Sequence, residues 1–183
     1  MMAENNQEPL ASAMAALEQA REGFARLPLI GPALWLYARD PFRKFLFVAD
    51  IDWAILPPVM LDQCHLYYKD GVPSAYFSWA LVNEAVAGRM RASLPKIAPH
   101  EWRCGEDVWI IDVVAPFGGA EELFTELRQT VLAGRKVSMM ILDPETPGMF
   151  TVREYPPEAP RESSQAAPGE SLPEEPAETS PTL

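Results

Sequence analysis

The sequence predicts an α/β fold, a mixed and mostly antiparallel sheet with flanking helices. Three observations carry this. Two β-prone runs, residues 64–69 and 74–80, flank Lys69-Asp70-Gly71-Val72-Pro73, and an Asp-Gly between such runs marks a hairpin. Trp109 to Val114 has the composition of a buried strand and leads through Ala115-Pro116-Phe117-Gly118-Gly119 into a helical pattern. Residues 137–142 and 149–155 read as two last strands, parted by the turn-forming Asp143-Pro144-Glu145-Thr146-Pro147-Gly148. Helices, hairpin, helix, then strand, helix, strand, strand is an order that places helices on the faces of one sheet.

Taken in order, Leu10, Met14, Leu17, Phe24 and Leu27 fall close to one face of a helix ending near Pro28, with Glu18, Arg21 and Glu22 off it. Such a helix either packs on its own domain or docks a partner or second copy. Residues 32–43 carry Leu34, Trp35, Leu36 and Phe42 and read as a second helix, interrupted around Asp40-Pro41. The apolar stretch 45–59 stays undecided. After the hairpin, 81–93 is helical in composition, and 120–133 reads as a helix with Leu123, Phe124, Leu127 and Val131 inward, stopped by Gly134.

Composition bounds the function. The 183 residues carry 15 Lys and Arg against 26 Asp and Glu, a net charge of -11, which argues against nonspecific binding to nucleic acid or an anionic membrane. No apolar run is long enough to span a bilayer, and the acidic, polar N-terminus is unlike a secretory signal, so a cytoplasmic protein with two reduced thiols, Cys64 and Cys104, is expected. Residues 156–183 hold seven Pro and six Glu, no aromatic residue and a single Arg; they are read as a disordered tail carrying -5 of the charge. The organisation expected is therefore an N-terminal helix and linker (1–30), a single domain (31–155) and the tail (156–183).

Asp112 stands out, because a carboxylate within Trp109–Val114 is costly to bury without a partner or a task. If the strand alternates, it shares a face with Ile110 and Val114. It is either a site residue or a satisfied structural aspartate. Gly118-Gly119, between a strand end and a helix start, either forms a simple turn or brings backbone N–H groups to a phosphate or thioester oxygen. His65 neighbours Cys64, but adjacent strand residues point to opposite faces, so the two make no thiolate–imidazole pair. His100 and Cys104 fall short of a zinc site, and no metal is argued for. Arg39, Arg43 and Lys44 form one basic cluster and Arg89, Arg91 and Lys96 another; each is a solvated surface or a contact for an acidic partner or phosphate.

Four segments read together carry a resemblance: Asp40-Pro41-Phe42; Pro73-Ser74-Ala75-Tyr76-Phe77-Ser78-Trp79-Ala80; Trp102-Arg103-Cys104-Gly105-Glu106-Asp107-Val108-Trp109-Ile110-Ile111-Asp112; and Ala115-Pro116-Phe117-Gly118. In this order and spacing the chain resembles the RTX toxin-activating lysine acyltransferases, the hemolysin-activator family, over about Gly31 to Tyr155. The resemblance implies a fold similar to the GNAT acetyltransferases, a tendency to form homodimers, and transfer of a fatty acyl group from acyl carrier protein to internal lysines of a toxin-like target. It also implies that no cofactor is bound, since the donor substrate arrives as acyl-acyl carrier protein. Substrate or acyl contacts are expected at Tyr76, Ser78, Trp79, Phe117, Gly118 and Gly119, with the basic clusters as docking ground for the acidic carrier.

One position departs from the pattern. The family's catalytic His follows a Ser-Pro-x segment, and the matching position here is Arg43, while the aspartate of the pair is matched by Asp112. Arginine stays protonated and cannot accept the lysine's proton. Catalysis therefore uses Asp112 with water, borrows His65 or His100, or is absent. The alternatives are a slow lysine acyltransferase and a non-catalytic module that binds acyl carrier protein or a target protein.

Overall fold

The computed structural model describes residues 7–92, 96–146 and 148–161. The elements are α1 (Gln7–Ala25), α2 (Ile30–Tyr37), two short helices α3 (Ile51–Ala54) and α4 (Leu56–Met60), β1 (Cys64–Lys69), β2 (Val72–Val82), α5 (Glu84–Arg91), β3 (Asp107–Val114), α6 (Ala120–Gln129), β4 (Val137–Leu142) and β5 (Phe150–Tyr155). The five strands form one sheet in the order β1-β2-β3-β4-β5. Neighbours are antiparallel except β3 and β4, and α6 supplies the crossover that a parallel pair needs.

Local chemistry explains most boundaries. Asp70 and Gly71 both take positive φ, 52° and 76°, the turn whose twist matches a two-residue hairpin. The undecided stretch is helical in short turns, and Pro57 and Pro58 open α4, where a missing N–H costs nothing. Asn83 caps α5, its side-chain oxygen accepting from the Val86 N–H at 3.0 Å. Helix α6 stops at Gln129, earlier than expected. Thr130 leaves the helical region, so Val131 is half-exposed and Leu132 takes the buried place.

The sheet has two covered faces. On one, α6 brings Phe124 and Leu127 against Tyr67, Ala75, Phe77, Trp79, Val108 and Ile110. On the other, α2, α3 and α4 pack on Tyr76 and Val114, and α5 with Trp102 packs on Ala80, Val82 and Trp109. Helix α1 meets the body on its small-residue side: a Cβ at Gly23 would stand 2.8 Å from Met60 Cε, and Arg26 pairs with Asp62 at 3.0 Å. Met14, Leu17 and Phe24, on the apolar face, are exposed. The first six residues of the expected tail lie along α6. Arg128 donates to the Pro156 carbonyl at 2.9 Å and pairs with Glu158 at 2.8 Å, and the Arg161 amide donates to the Gln129 carbonyl at 2.9 Å. The rest of that tail, 162–183, lies outside the described residues. Among the described residues no helix is long and apolar enough to cross a membrane.

Candidate active site

A break in the pairing of β2 with β3 positions the key carboxylate. Ser78 faces Asp112, but the next pair is Trp79 with Ile110, which leaves Ile111 as an extra residue. Ile110 points into the α6 core, whereas Ile111 and Asp112 both reach the opposite face. The expected grouping of Asp112 with Ile110 is thus corrected by the bulge; Val114 stays on its face. The parallel pairing of β3 with β4 also stops early, at Ile110 and Met139, although both strands continue with their other neighbours. Ile111, Asp112 and Met140 lie where the strands part.

Asp112 is buried and carries two partners. Tyr37, at the end of α2, donates its hydroxyl to Oδ2 at 2.9 Å, and Arg43 Nη2 approaches Oδ1 at 2.6 Å. The turn that delivers Arg43 is set by Asp40, whose Oδ1 accepts from the N–H groups of Phe42 and Arg43, both at 2.9 Å. Burial pushes the Asp112 carboxyl above its ordinary range, and Arg43 and the Tyr37 hydrogen bond oppose that rise. Burial, then the nearby Asp112, push the Tyr37 hydroxyl well above its usual value.

A cavity of about 310 Å³ opens beside this pair. Asp112, Arg43, Tyr37 and Lys96 give it polar groups, and Leu46, Trp53, Ala54, Ile111, Met140 and Phe150 form apolar walls. Such a mixture of apolar wall and few polar groups is the ordinary character of a small-molecule site.

The other expected residues fall in three places. Tyr76 and Ser78 are buried on β2, where Ser78 pairs with Asp112 and Tyr76 with Val114, and the Tyr76 ring lies 5.8 Å from that of Tyr37. Trp79 stands on the opposite face in the α6 core. Phe117 is exposed and packs at 5.7 Å on Trp35, and Gly118 and Gly119, at φ 86° and 77°, make the turn into α6; none of the three lines the cavity. His65 pairs with Phe77 across the strands and lies 4.6 Å from Tyr67, its pKa lowered by burial; His100 sits in the helical turn Pro99–Glu101. Neither lines the cavity, so no imidazole is available to borrow there. Cys64 and Cys104 are free, and burial pushes the Cys64 thiol up to about 11.

The basic clusters are partly spoken for. Arg89 forms a two-pronged pair with Glu101 at 2.8 and 2.6 Å, Arg91 meets Glu84 at 2.8 Å, and Arg39 stacks 3.6 Å over Trp35. Sequence reasoning missed Tyr37, Trp53, Met140 and Phe150, and it grouped Lys96 with Arg89 and Arg91 in a basic cluster and not with Asp112. Tyr37 ends an apolar helix and reads as ordinary core, and no local signal ties it to a carboxylate 75 positions away.

Residues 22–156 match the family described as HlyC, RTX toxin acyltransferase. The chain belongs to this family. Among its relatives, the lysine-acyltransferase RtxC of Vibrio cholerae is 33% identical over 114 residues, 60% of this chain and 74% of that protein. The RTX-II toxin-activating lysine-acyltransferase ApxIIC of Actinobacillus pleuropneumoniae is 32% identical over 101 residues, 55% of this chain and 63% of that protein. The leukotoxin-activating lysine-acyltransferase LktC, serotype A11, of Mannheimia haemolytica is 32% identical over 101 residues, 55% of this chain and 60% of that protein. The chain thus spans under two thirds of the last two relatives. The family's match begins inside α1 and stops at Pro156.

Proposed function

We propose that this protein transfers an acyl group to lysine side chains of a protein target, with acyl-acyl carrier protein as donor, and that Asp112 and Arg43 divide the chemistry. The single observation that supports this most is the buried Asp112, held by Arg43 and Tyr37, at the edge of an apolar cavity. In the step, the lysine nitrogen attacks the thioester carbonyl carbon, a C–N bond forms, and the C–S bond breaks to release the carrier's thiolate. The ammonium proton passes to Asp112 and from there to the thiolate or water, and the Arg43 guanidinium faces the developing oxyanion. A carboxyl whose pKa is raised by burial is a stronger base than an exposed one. No imidazole stands beside it at the Arg43 position to share the proton transfer, so turnover is slow.

The fold reading as GNAT-like rests on the family resemblance and is supported by the open, mostly antiparallel sheet with its single parallel pair. For the acidic carrier, the docking ground in this reading is Arg39, Arg43 and Lys44 with the exposed Phe42, Phe45 and Phe47 beside them. The exposed Met14, Leu17 and Phe24 of α1 support the homodimer that the resemblance implies. The test is acyl transfer from acyl-acyl carrier protein to a co-expressed toxin-like target, read by mass spectrometry on intact lysines. Slow lysine acylation that disappears in Asp112→Asn supports the reading. Carrier binding without any acylation favours the second reading, a binding module, for which the observation is the missing imidazole at the cavity.

A further inference from the structure

We infer that Ser78, backed by Tyr76, is a positioning residue for Asp112: its hydroxyl serves the carboxyl from the side away from the cavity, donating to it when ionised and accepting from it when protonated. The inference rests on the reading of Asp112 as the proton acceptor in lysine acyl transfer, and it names what supports that group through a turnover. Cys64 on β1, Ser78 on β2 and Asp112 on β3 are paired directly across three strands, so their side chains stand in one row on the face that packs against α2, α3 and α4. Directly paired residues bring their Cβ atoms to about 4.5–5.5 Å, which puts the Ser78 hydroxyl one rotamer step from the carboxyl. Tyr76 lies two residues along the same face, and both Tyr76 and Ser78 are 0% exposed. Among the described residues neither hydroxyl has a hydrogen-bonding partner. An unpaired buried hydroxyl is costly, and two of them behind a buried carboxyl point to a use in another state of the site.

The chemistry of the present partners supplies that use. At rest Arg43 holds Oδ1 and Tyr37 holds Oδ2, so the carboxylate is served without Ser78. When the Arg43 guanidinium turns to the oxyanion, Oδ1 loses its partner. A guanidinium only donates, so it also opposes the protonated form that Asp112 adopts once it has taken the lysine's proton. A hydroxyl donates and accepts by turning about its C–O bond, and suits both states. The titratable and charged groups facing Asp112 are Tyr37 from α2, Arg43 and Asp40 from the turn after it, and Tyr76 from β2, with Lys96 on the wall of the same cavity. Helix α3 and strands β4 and β5 bring only Trp53, Ala54, Met140 and Phe150 to that wall, and Cys64 stands behind Ser78. Burial first, then Cys64 and Asp112, push the Tyr76 hydroxyl well above its usual value, and burial pushes the Cys64 thiol up to about 11. Both stay neutral while Asp112 titrates, which leaves the Ser78 hydroxyl free to follow the carboxyl.

The test compares the full-length wild type with Ser78→Ala, Ser78→Thr and Tyr76→Phe in two ways. One is the pH dependence of lysine acyl transfer; the other is titration of the Asp112 carboxyl by carbon NMR on aspartate-labelled protein, its signal being the one lost in Asp112→Asn. Ser78→Ala is expected to lower kcat about tenfold with KM for the acyl donor unchanged, and to move the acid limb up by about one pH unit. It should melt no lower than wild type, because the hydroxyl it removes has no partner at rest. Ser78→Thr, which keeps a hydroxyl, restores rate and limb, and Tyr76→Phe shifts the limb less and in the same direction. In Arg43→Ala, where Oδ1 is released, adding Ser78→Ala raises the Asp112 midpoint by more than the same change does in wild type; this titration needs no turnover. Such coupling without any acyl transfer leaves the hold of Ser78 on Asp112 standing and removes the reading it started from. An unchanged kcat and pH profile in Ser78→Ala, or equal midpoint shifts in the two backgrounds, overturns the inference. A melting temperature that falls along with the rate, with no rescue by Ser78→Thr, makes Ser78 structural and overturns it as well.

Discussion

Asp112 bears a desolvation cost, and two contacts favour its ionised form. Burial raises its carboxyl, while Arg43 and Tyr37 lower it. A folded carboxyl that keeps its proton more tightly than the unfolded chain contributes stability below the unfolded value of about 3.9, and that contribution is lost as pH rises through the raised folded value. At neutral pH the charge therefore weakens the fold, and Asp112→Asn should melt no lower than wild type, since the half-exposed Arg43 can rehydrate. The same variant should lose acyl transfer by about 10²–10⁴-fold, the usual contribution of a positioned proton acceptor. A clear drop in melting temperature with transfer retained would make Asp112 structural. Tyr37→Phe removes one contact that favours the ionised form, so the acid limb of the rate profile should move to higher pH, with Tyr37→Leu moving it no further. Arg43→His places a titrating ring where a permanent cation stands. If Asp112 orients it, the rate should rise with an apparent pKa near about 6.5; a rate that falls at every pH would give Arg43 a positive role in stabilising the oxyanion.

Secondary elements were legible where side-chain chemistry acts locally. The Asp70-Gly71 turn and the apolar run of β3 were readable because each depends on residues within a few positions, whereas the helix expected from Leu81 starts only at Glu84, since Leu81 and Val82 continue β2 and Asn83 caps the helix. The cap should be worth about 1 kcal/mol, so Asn83→Ala is expected to lower the melting temperature by a few degrees without touching the Asp112 cavity. The bulge at Ile111 was not legible. It arises from how β2 and β3 meet, and it decides which face carries Asp112. The early parting of β3 from β4 was hidden for the same reason, since strand pairing is set by residues far apart in sequence. Met140 and Phe150 consequently looked like plain strand residues, and Tyr37 like plain core. The motifs did align Arg43 with Asp112, and the ion pair joins them across 69 positions of chain. The motif segments mix both kinds of position: Trp79 sits in the α6 core, while Ser78 pairs with Asp112 across β2 and β3.

For the molecule as a whole, the expected boundary at Pro156 divides contacts that belong together. The Arg128 guanidinium is mostly buried, lies 4.8 Å over the Tyr155 ring, pairs with Glu158 and donates to the Pro156 carbonyl, and the Gly134 amide is satisfied by the Glu158 carbonyl at 2.8 Å. Cutting at Pro156 removes those partners and leaves a buried cation without its carboxylate, a loss typically far larger than that of an exposed pair. Composition alone could not reveal this, because Pro156 to Arg161 looks like the rest of the Pro- and Glu-rich segment. Two truncations separate the parts. Removing residues 162–183 should leave the melting temperature and acyl transfer nearly unchanged, because that segment is too poor in apolar residues to build core. Removing 156–183 should lower the melting temperature by several degrees, and Glu158→Gln in the full chain should reproduce part of the drop. Equal melting of both truncations would mean that Arg128 gains nothing from Glu158 and that the domain ends at Tyr155; a drop on losing 162–183 alone would place structural contacts beyond Arg161.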